Sequence, residues 1–410
     1  MLTRRRFTAL ALVGLSAAAI LALAPEAGAQ GADAAPGHSR YRIRYDSIAD
    51  TREGRFVGFT TPAINDRGTV AFLGYPSGDG AGAGIFTTKN GRHFKTIVTS
   101  DHPTLVAFGP PSINNRGLVA FEAVHRWDGS SDSGVYAGYG PDSLAAVATT
   151  EGDSPFINFG MRVSVNDGGK VAFHAYRQIA GAISTGVFLG GPSGTVHPVA
   201  TTTTHPEFAS FSDAPHLNNA GVVAFRGVRT FAEGSTQALL AGRVLWNGAP
   251  QLSVLFDNRA PTILGGFGDS PYLTDGGTLA FGGVIKGRPA GLGVFTSPLD
   301  GTFETHATTR DEPFGVLRDP AVNDRGLVVF PAIRTAAAGG GSALYARIPG
   351  VDAPVCIAER GQQFLGGEVE SVSFFRGLNE KNQIAFQYRL TNDAEGIAVA
   401  RVHLPDDRDY

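Results

Sequence analysis

The chain is poor in the residues that usually announce a chemistry or staple a fold. Of its 410 residues, one is cysteine, two are methionine and two are tryptophan. A lone Cys356 excludes an internal disulfide framework. Its apolar setting, Val355-Cys356-Ile357, marks it as a packed thiol. Charged residues make up only 17%, balanced to a formal net charge of −3. That argues against nucleic acid as a principal partner, which calls for a basic surface. There is no HxH or HExxH spacing, no Gly-x-Ser-x-Gly elbow and no P-loop. Long 3.6-residue apolar periodicity is also missing, and 55 Gly and 24 Pro exclude a helical array.

One long apolar run occurs, Ala9–Leu23, behind Thr3-Arg4-Arg5-Arg6-Phe7. This is the twin-arginine export pattern, and Ala27-Gly28-Ala29 supplies a cleavage site before Gln30. Residues 1–29 are therefore expected to be a leader and 30–40 a flexible linker. Removing three Arg and one Glu leaves a mature charge of −5. No second hydrophobic segment follows. The mature chain is expected to have no membrane span, to be monomeric and to reside in the periplasm or outside the cell. Residues 405–410 read as a polar tail.

What the chain does have is one pattern seven times over. Asn65-Asp66-Arg67-Gly68-Thr69-Val70-Ala71-Phe72 returns at Asn114–Phe121, Asn166–Phe173, Asn218–Phe225, Thr274–Phe281, Asn323–Phe330 and Asn379–Phe386. An aliphatic residue precedes each copy, and a β-prone run ends it. Asn at the first turn position and Gly at the fourth suit a type I turn between two antiparallel strands. Asn382 stands in for Gly in the last copy and tolerates the same left-handed backbone. Thr274 replaces Asn in the fifth, where its hydroxyl is the weaker cap.

Proline lies three residues before the turn in five copies, at Pro62, Pro111, Pro215, Pro271 and Pro320. Proline has no ladder donor, so the first strand of each unit must have a free edge. The innermost strand of a propeller blade, along a central channel, meets that condition. Successive copies are 49, 52, 52, 56, 49 and 56 residues apart, a propeller period. A short aromatic strand such as Gly84-Ile85-Phe86 and an outer strand such as Lys95–Thr99 follow each hairpin. The last unit stops at its third strand, Gly396–Arg401, while Tyr41–Ala49 is an outer strand without a unit of its own. Pairing the two removes both open edges. The expected fold is all-β: a seven-bladed β-propeller over 41–404, with four-stranded antiparallel blades and its ring closed by the N-terminal strand.

With these copies, the chain resembles the secreted bacterial tandem-repeat proteins that carry Asn-x-x-Gly-x-Val-Ala-Phe. The resemblance covers about residues 41–401. It implies export and a propeller-like scaffold, and it brings no established activity.

Candidate site residues come from the loops. Several turns carry an acid, at Asp66, Asp167, Asp275 and Asp324, but a calcium loop needs more oxygen ligands than one turn offers, so these read as hairpin turns. Just past each motif Phe a cation recurs: Arg126, Arg177, Arg229, Lys286, Arg334 and Arg389, with Tyr75 in the first unit. The crossovers bring acids on the same face, among them Asp50, Glu151, Asp257 and Glu359. Two readings stand. The rings pair as inter-blade salt bridges, or the cations hold an anionic ligand such as a carboxylate, a phosphate or an acidic glycan. His125 and His174 recur at nearby positions of adjacent units, and His102 and His205 in equivalent crossovers, but without metal spacing, so no metal or cofactor is expected. Trp127 and Trp246 read as packing residues. A binding or protein-interaction scaffold is the favoured function. The alternative is a hydrolase or lyase acting on a polysaccharide or small ester at the channel mouth.

Overall fold

The computed structural model describes residues 41–404, except 79–81, 127–131, 193, 232–233 and 260–261. The expected leader, linker and tail, and Trp127, fall outside the described residues.

Seven antiparallel sheets follow one another in chain order, one per repeat. Blade 1 shows the plan: an innermost strand in two pieces (Phe56–Phe59 and Ala63–Ile64), then Val70–Pro76, Gly84–Thr88 and the outer Lys95–Thr99. The expected free edge is there, and proline does more than tolerate it. Pro62 sits in the gap between the two pieces. Blades 2, 4, 5 and 6 break at the same place, before Pro111, Pro215, Pro271 and Pro320. In blade 3 Val163 replaces proline and the innermost strand runs unbroken over Phe156–Val165, with its register slipping between Phe159 and Val163. In blade 7 Arg376 takes the proline position, and only an isolated bridge, Leu378 to Ile384, continues the strand.

The motif turns form as expected. Gly68 N–H donates to Asn65 O at 2.9 Å, and Asn65 N–H donates to Thr69 O at 3.1 Å. The fourth turn residue is left-handed in every copy, including Asn382 at φ 54°. Each motif Phe points between blades, where at most 1% of its surface is exposed. In five blades it lies against the aromatic ring of the third strand, as Phe173 does against Phe188 at 5.9 Å. The core is thus a set of inter-blade layers. Phe72 of blade 1, for example, packs with Ala385, Ile397 and Val399 of blade 7. Each blade relies on its neighbours.

The ring closes through the N-terminal strand. Arg42–Asp50 pairs antiparallel with Glu395–His403, from Arg42 opposite His403 to Asp50 opposite Gly396, with one register shift between Ser47 and Ala49. Asp50 accepts from Tyr388 Oη at 2.7 Å and from Arg52 Nε at 2.8 Å, and Arg52 reaches on to Leu365 O at 2.7 Å. Among the described residues no helix is long and apolar enough to cross a membrane.

Candidate functional site

The channel has two different ends, set by the two ends of the innermost strands. At one end the seven motif turns meet. Each motif Asn uses its whole carboxamide. Asn114 Oδ1 accepts from Arg116 N–H at 3.0 Å and Leu118 N–H at 2.9 Å, while Nδ2 donates to Asn166 O of the next blade at 2.8 Å. The same link runs from Asn65 to Asn114, from Asn166 to Asn218, from Asn218 to Thr274, from Asn323 to Asn379 and from Asn379 back to Asn65. Thr274 has no carboxamide, and its hydroxyl stays within its own turn, accepting from Thr278 N–H at 3.0 Å. The step from blade 5 to blade 6 is made instead by Gly276 N–H to Asp324 Oδ1 at 2.9 Å.

A second ring runs beside the first. Asp66, Asn115, Asp167 and Asn219 each donate their backbone N–H to the side chain one blade further on, at 2.6–2.8 Å. Asp324 N–H reaches Glu380, and Glu380 N–H returns to Asp66. The turn acids are therefore stitches between blades, a role their spacing did not disclose. Asp66, Asp167, Asp275 and Glu380 also line a cavity of about 150 Å³, together with His216, Tyr272, Phe375 and Arg376. Burial, then the charges of Asp324, Asp66 and Asp275, push the Glu380 carboxyl up to about 7, against a backbone N–H that favours its ionised form.

Midway along, the channel is spanned. The Arg162 guanidinium of blade 3 lies 3.6 Å from the centre of the Phe375 ring of blade 7. Arg376 flanks that ring at 4.9 Å. It also donates to Pro215 O at 2.8 Å, Ala214 O at 2.6 Å and Pro271 O at 3.2 Å, tying blade 7 to blades 4 and 5. Arg376 holds this position with φ 54°, an uncommon conformation for a side-chain-bearing residue. Burial and the like charge of Arg162 pull its pKa down to about 9. Burial also lowers that of Arg162.

Beyond this waist, away from the turns, the second strands differ from blade to blade at one position. The residue after each motif Phe faces the neighbouring blade, and it is Leu73, Glu122, His174, Arg226, Gly282, Pro331 and Gln387 in turn. Glu122 and His174 are buried, and Arg226 pairs with Asp269. Burial pushes the Glu122 carboxyl up to about 7 and pulls the His174 imidazole down to about 4. Asp319 accepts from Ser270 N–H at 3.0 Å, and burial raises its pKa. One signal for this wall was available in the sequence. The two copies without proline, at Val163 and Arg376, are the two that supply the waist guanidiniums.

The six cations chosen from the repeat sit at or just past the far ends of the second strands. Arg229 pairs with Asp257, Arg334 with Glu359 at 2.9 Å, and Arg389 with Glu370 at 2.8 Å. Arg126 donates to Ser100 O at 3.2 Å, and Lys286 to Asn258 O at 2.9 Å. Arg177 lies 5.4 Å from the Phe156 ring and 5.5 Å from that of Phe188. The histidines are engaged locally. His125 bonds Tyr136 Oη at 2.7 Å and Glu151 at 2.8 Å, and His174 bonds Thr185 Oγ1 at 2.5 Å. His102 Nδ1 accepts from Leu105 N–H at 3.3 Å, and His205 lies 3.6 Å from Glu207. Among the described residues no group of three or more His, Cys, Asp or Glu is arranged to hold a metal ion. Trp246, read from sequence as packed, is 98% exposed at the tip of the long blade 4 hairpin, whose strands outreach the sheet that would have covered it.

Residues 96–408 match the model of a family described as of unknown function, DUF7453. No protein of curated function matches the sequence. Among solved structures the chain is similar to the β-propeller domain of the Trilobed protease from Pyrococcus furiosus, at 12% identity and a TM-score of 0.51, over 87% of this chain and 95% of that one. That domain is described as having an open velcro topology, whereas here the closing strands are hydrogen-bonded along their length. The chain is also similar to the acylaminoacyl peptidase of Pyrococcus horikoshii, at 10% identity and a TM-score of 0.53, over 89% of this chain and 54% of the peptidase. It thus spans about half of that protein's length. The polysaccharide lyase Uly1 gives 10% identity and a TM-score of 0.47 over 86% of this chain and 90% of that one. At these identities the likeness is one of fold.

Proposed function

Since this chain belongs to the family of unknown function DUF7453, we propose from its own channel chemistry that it is an exported binding propeller whose recognition surface is the channel wall beyond the waist. One observation carries this. The scaffold is close to seven-fold uniform in its turns and core, and it departs from uniformity at the wall. There one repeat position holds Leu73, Glu122, His174, Arg226, Gly282, Pro331 or Gln387. A scaffold under packing constraint alone would fill equivalent positions alike. Arg226 pairs with Asp269 and His174 bonds Thr185, whereas the buried Glu122 carboxyl has no ion pair among the described residues, and a ligand is the partner we assign to it. Export is part of the proposal and is supported by Arg4-Arg5-Arg6 and the apolar Ala9–Leu23. The ligand is a small molecule or glycan that enters from the crossover face, and the protein acts as a monomer.

The test is a thermal-shift and calorimetric screen of the mature protein against neutral and acidic oligosaccharides and phosphorylated metabolites. A ligand that binds only the native state raises the melting temperature. Stabilisation that survives Trp246→Ala but is lost in Glu122→Gln or Arg226→Gln supports the wall as the site. Stabilisation that those two variants leave intact sinks it. A hydrolase or lyase is the second reading, and Glu122 favours it, because a buried carboxyl near neutral pKa is suited to proton donation. Turnover of an oligosaccharide or small ester that disappears in Glu122→Gln would establish it in place of simple binding.

A further inference from the structure

Two guanidiniums share one phenyl ring at the waist, and neither has a carboxylate within pairing distance among the described residues. Arg162 is held only by its stacking on Phe375 at 3.6 Å, and its Nη1 is buried with no protein acceptor. Arg376 spends its two Nη groups on three backbone carbonyls, and its Nε is likewise buried with no acceptor. Neutral carbonyls satisfy hydrogen bonds without cancelling charge. Like charges brought together away from water repel strongly, and an unpaired buried cation is among the costliest features a fold can hold. An opposite charge between the two arginines resolves both problems.

Resting on the channel as the binding position, we infer that the waist is an oxyanion site in which Arg162 and Arg376 together hold one carboxylate of the ligand. The two unsatisfied donors, Arg162 Nη1 and Arg376 Nε, would each serve one oxygen of a planar carboxylate. Charge count favours a monoanion. Asp213 lies close enough to act electrostatically on both arginines, and Asp319 on Arg376. With those two acids already beside the arginines, a singly charged group adds less negative charge to the cluster than a phosphate dianion. Access is from the crossover side. Each innermost strand runs from the crossovers to the turns, Arg162 lies one residue further from the turns than Val163, and its neighbour Met161 is 60% exposed. On the turn side, the cavity that Phe375 and Arg376 line is ringed by Asp66, Asp167 and Asp275, which repel anions. The ligand class that results is a sugar acid, a uronate, presented as a free unit or at the end of an acidic glycan.

The experiment compares wild-type protein with Arg162→Met and Arg162→Lys in glucuronate, galacturonate, inorganic phosphate, galactose and chloride at matched ionic strength. Expected is a saturable rise in melting temperature of about 3 °C with uronate in the wild type, as native-state binding well above Kd gives in a chain of this size. The rise is absent in Arg162→Met and partly kept in Arg162→Lys. Arg162→Met, which keeps the volume and removes one of two like charges, should also melt no lower than wild type in chloride, so loss of the shift is not loss of the fold. A shift with phosphate and none with uronate overturns the carboxylate assignment. A shift with galactose alone overturns the oxyanion site and leaves channel binding standing. A shift with no ligand overturns both, as does a uronate shift unchanged in Arg162→Met for the site proposed here.

Discussion

The two ends of the channel solve opposite problems with the same repeat. At the turns, six Asn side chains make one interaction, each reaching the backbone of the next blade, and at Thr274 the Asp324 side chain of blade 6 makes the step instead. Uniformity there is the function, because a ring is only as closed as its weakest step. Just after the motif Phe, equivalent positions carry Leu, Glu, His, Arg, Gly, Pro and Gln, and nothing is repeated except the backbone. Repeats that must fit one another converge on one residue, while positions outside that ring are free to diverge.

That contrast can be broken in several places. Deleting Arg42–Asp50 removes the strand that closes blade 7, and a single cooperative loss of circular dichroism at ambient temperature is expected. Normal melting after the deletion would mean that the ring does not depend on closure. Next in size, Phe121→Ala should cost about 3–5 kcal/mol, since a fully buried ring leaves a cavity, read as a fall in the urea midpoint. Asn114→Ala strands two buried N–H donors and a carbonyl, a loss of about 2–4 kcal/mol. Thr274→Asn should act in the other direction by supplying the missing carboxamide link to blade 6, with a gain of about 0.5–1.5 kcal/mol. If the two Asn substitutions were equally silent, the turn ring would be no stitch at all.

Acidity sharpens the comparison from both ends. Glu380 and Glu122 are pushed from 4.5 to about 7 in the fold. A carboxyl held protonated stabilises the fold fully below its unfolded value and loses that contribution as pH rises through the folded value. Stability should therefore fall between about pH 4.5 and 7 and level off above. Glu380→Gln and Glu122→Gln should each flatten part of that slope in melting curves taken across the range. The smallest effect is at Cys356, whose thiol burial pushes well above its ordinary value. Disulfide-exchange reagents at pH 8 should leave it intact until the protein is unfolded.

The scaffold was legible because it is periodic. Gly68 and its equivalents, the prolines and the motif Phe each answer to a local rule, and seven copies average out the exceptions. Even the shared last blade followed from counting strands, since an unpaired edge at each terminus has one economical remedy. The waist was not legible, since contacts between blade 3 and blade 7 have no period. Arg162 and Phe375 are 213 positions apart and meet only because the ring brings them across the axis. The post-Phe cations illustrate the converse. Arg126, Arg229, Lys286 and Arg334 recur because each fastens a crossover of its own unit. Recurrence pointed to framework there, and the irregular position beside the motif Phe, Glu122 in one copy and His174 in the next, lay unremarked.

Closure by Arg42–Asp50 against Glu395–His403 has a consequence for how the molecule comes into being. Arg42–Asp50 leaves the ribosome without its partner, Glu395–His403, which follows some 350 residues later. Blades 1 to 6 can assemble in sequence as they emerge, but the final sheet is a zipper whose two halves are made at opposite ends of synthesis. The folded molecule therefore dates from completion of the chain, and a message truncated anywhere before blade 7 yields an open arc and no ring. The same geometry sets residues 42 and 403 side by side, so a short peptide joining them, with new termini cut in a surface loop between two blades, should give a circular permutant that closes the same wheel from a different spoke.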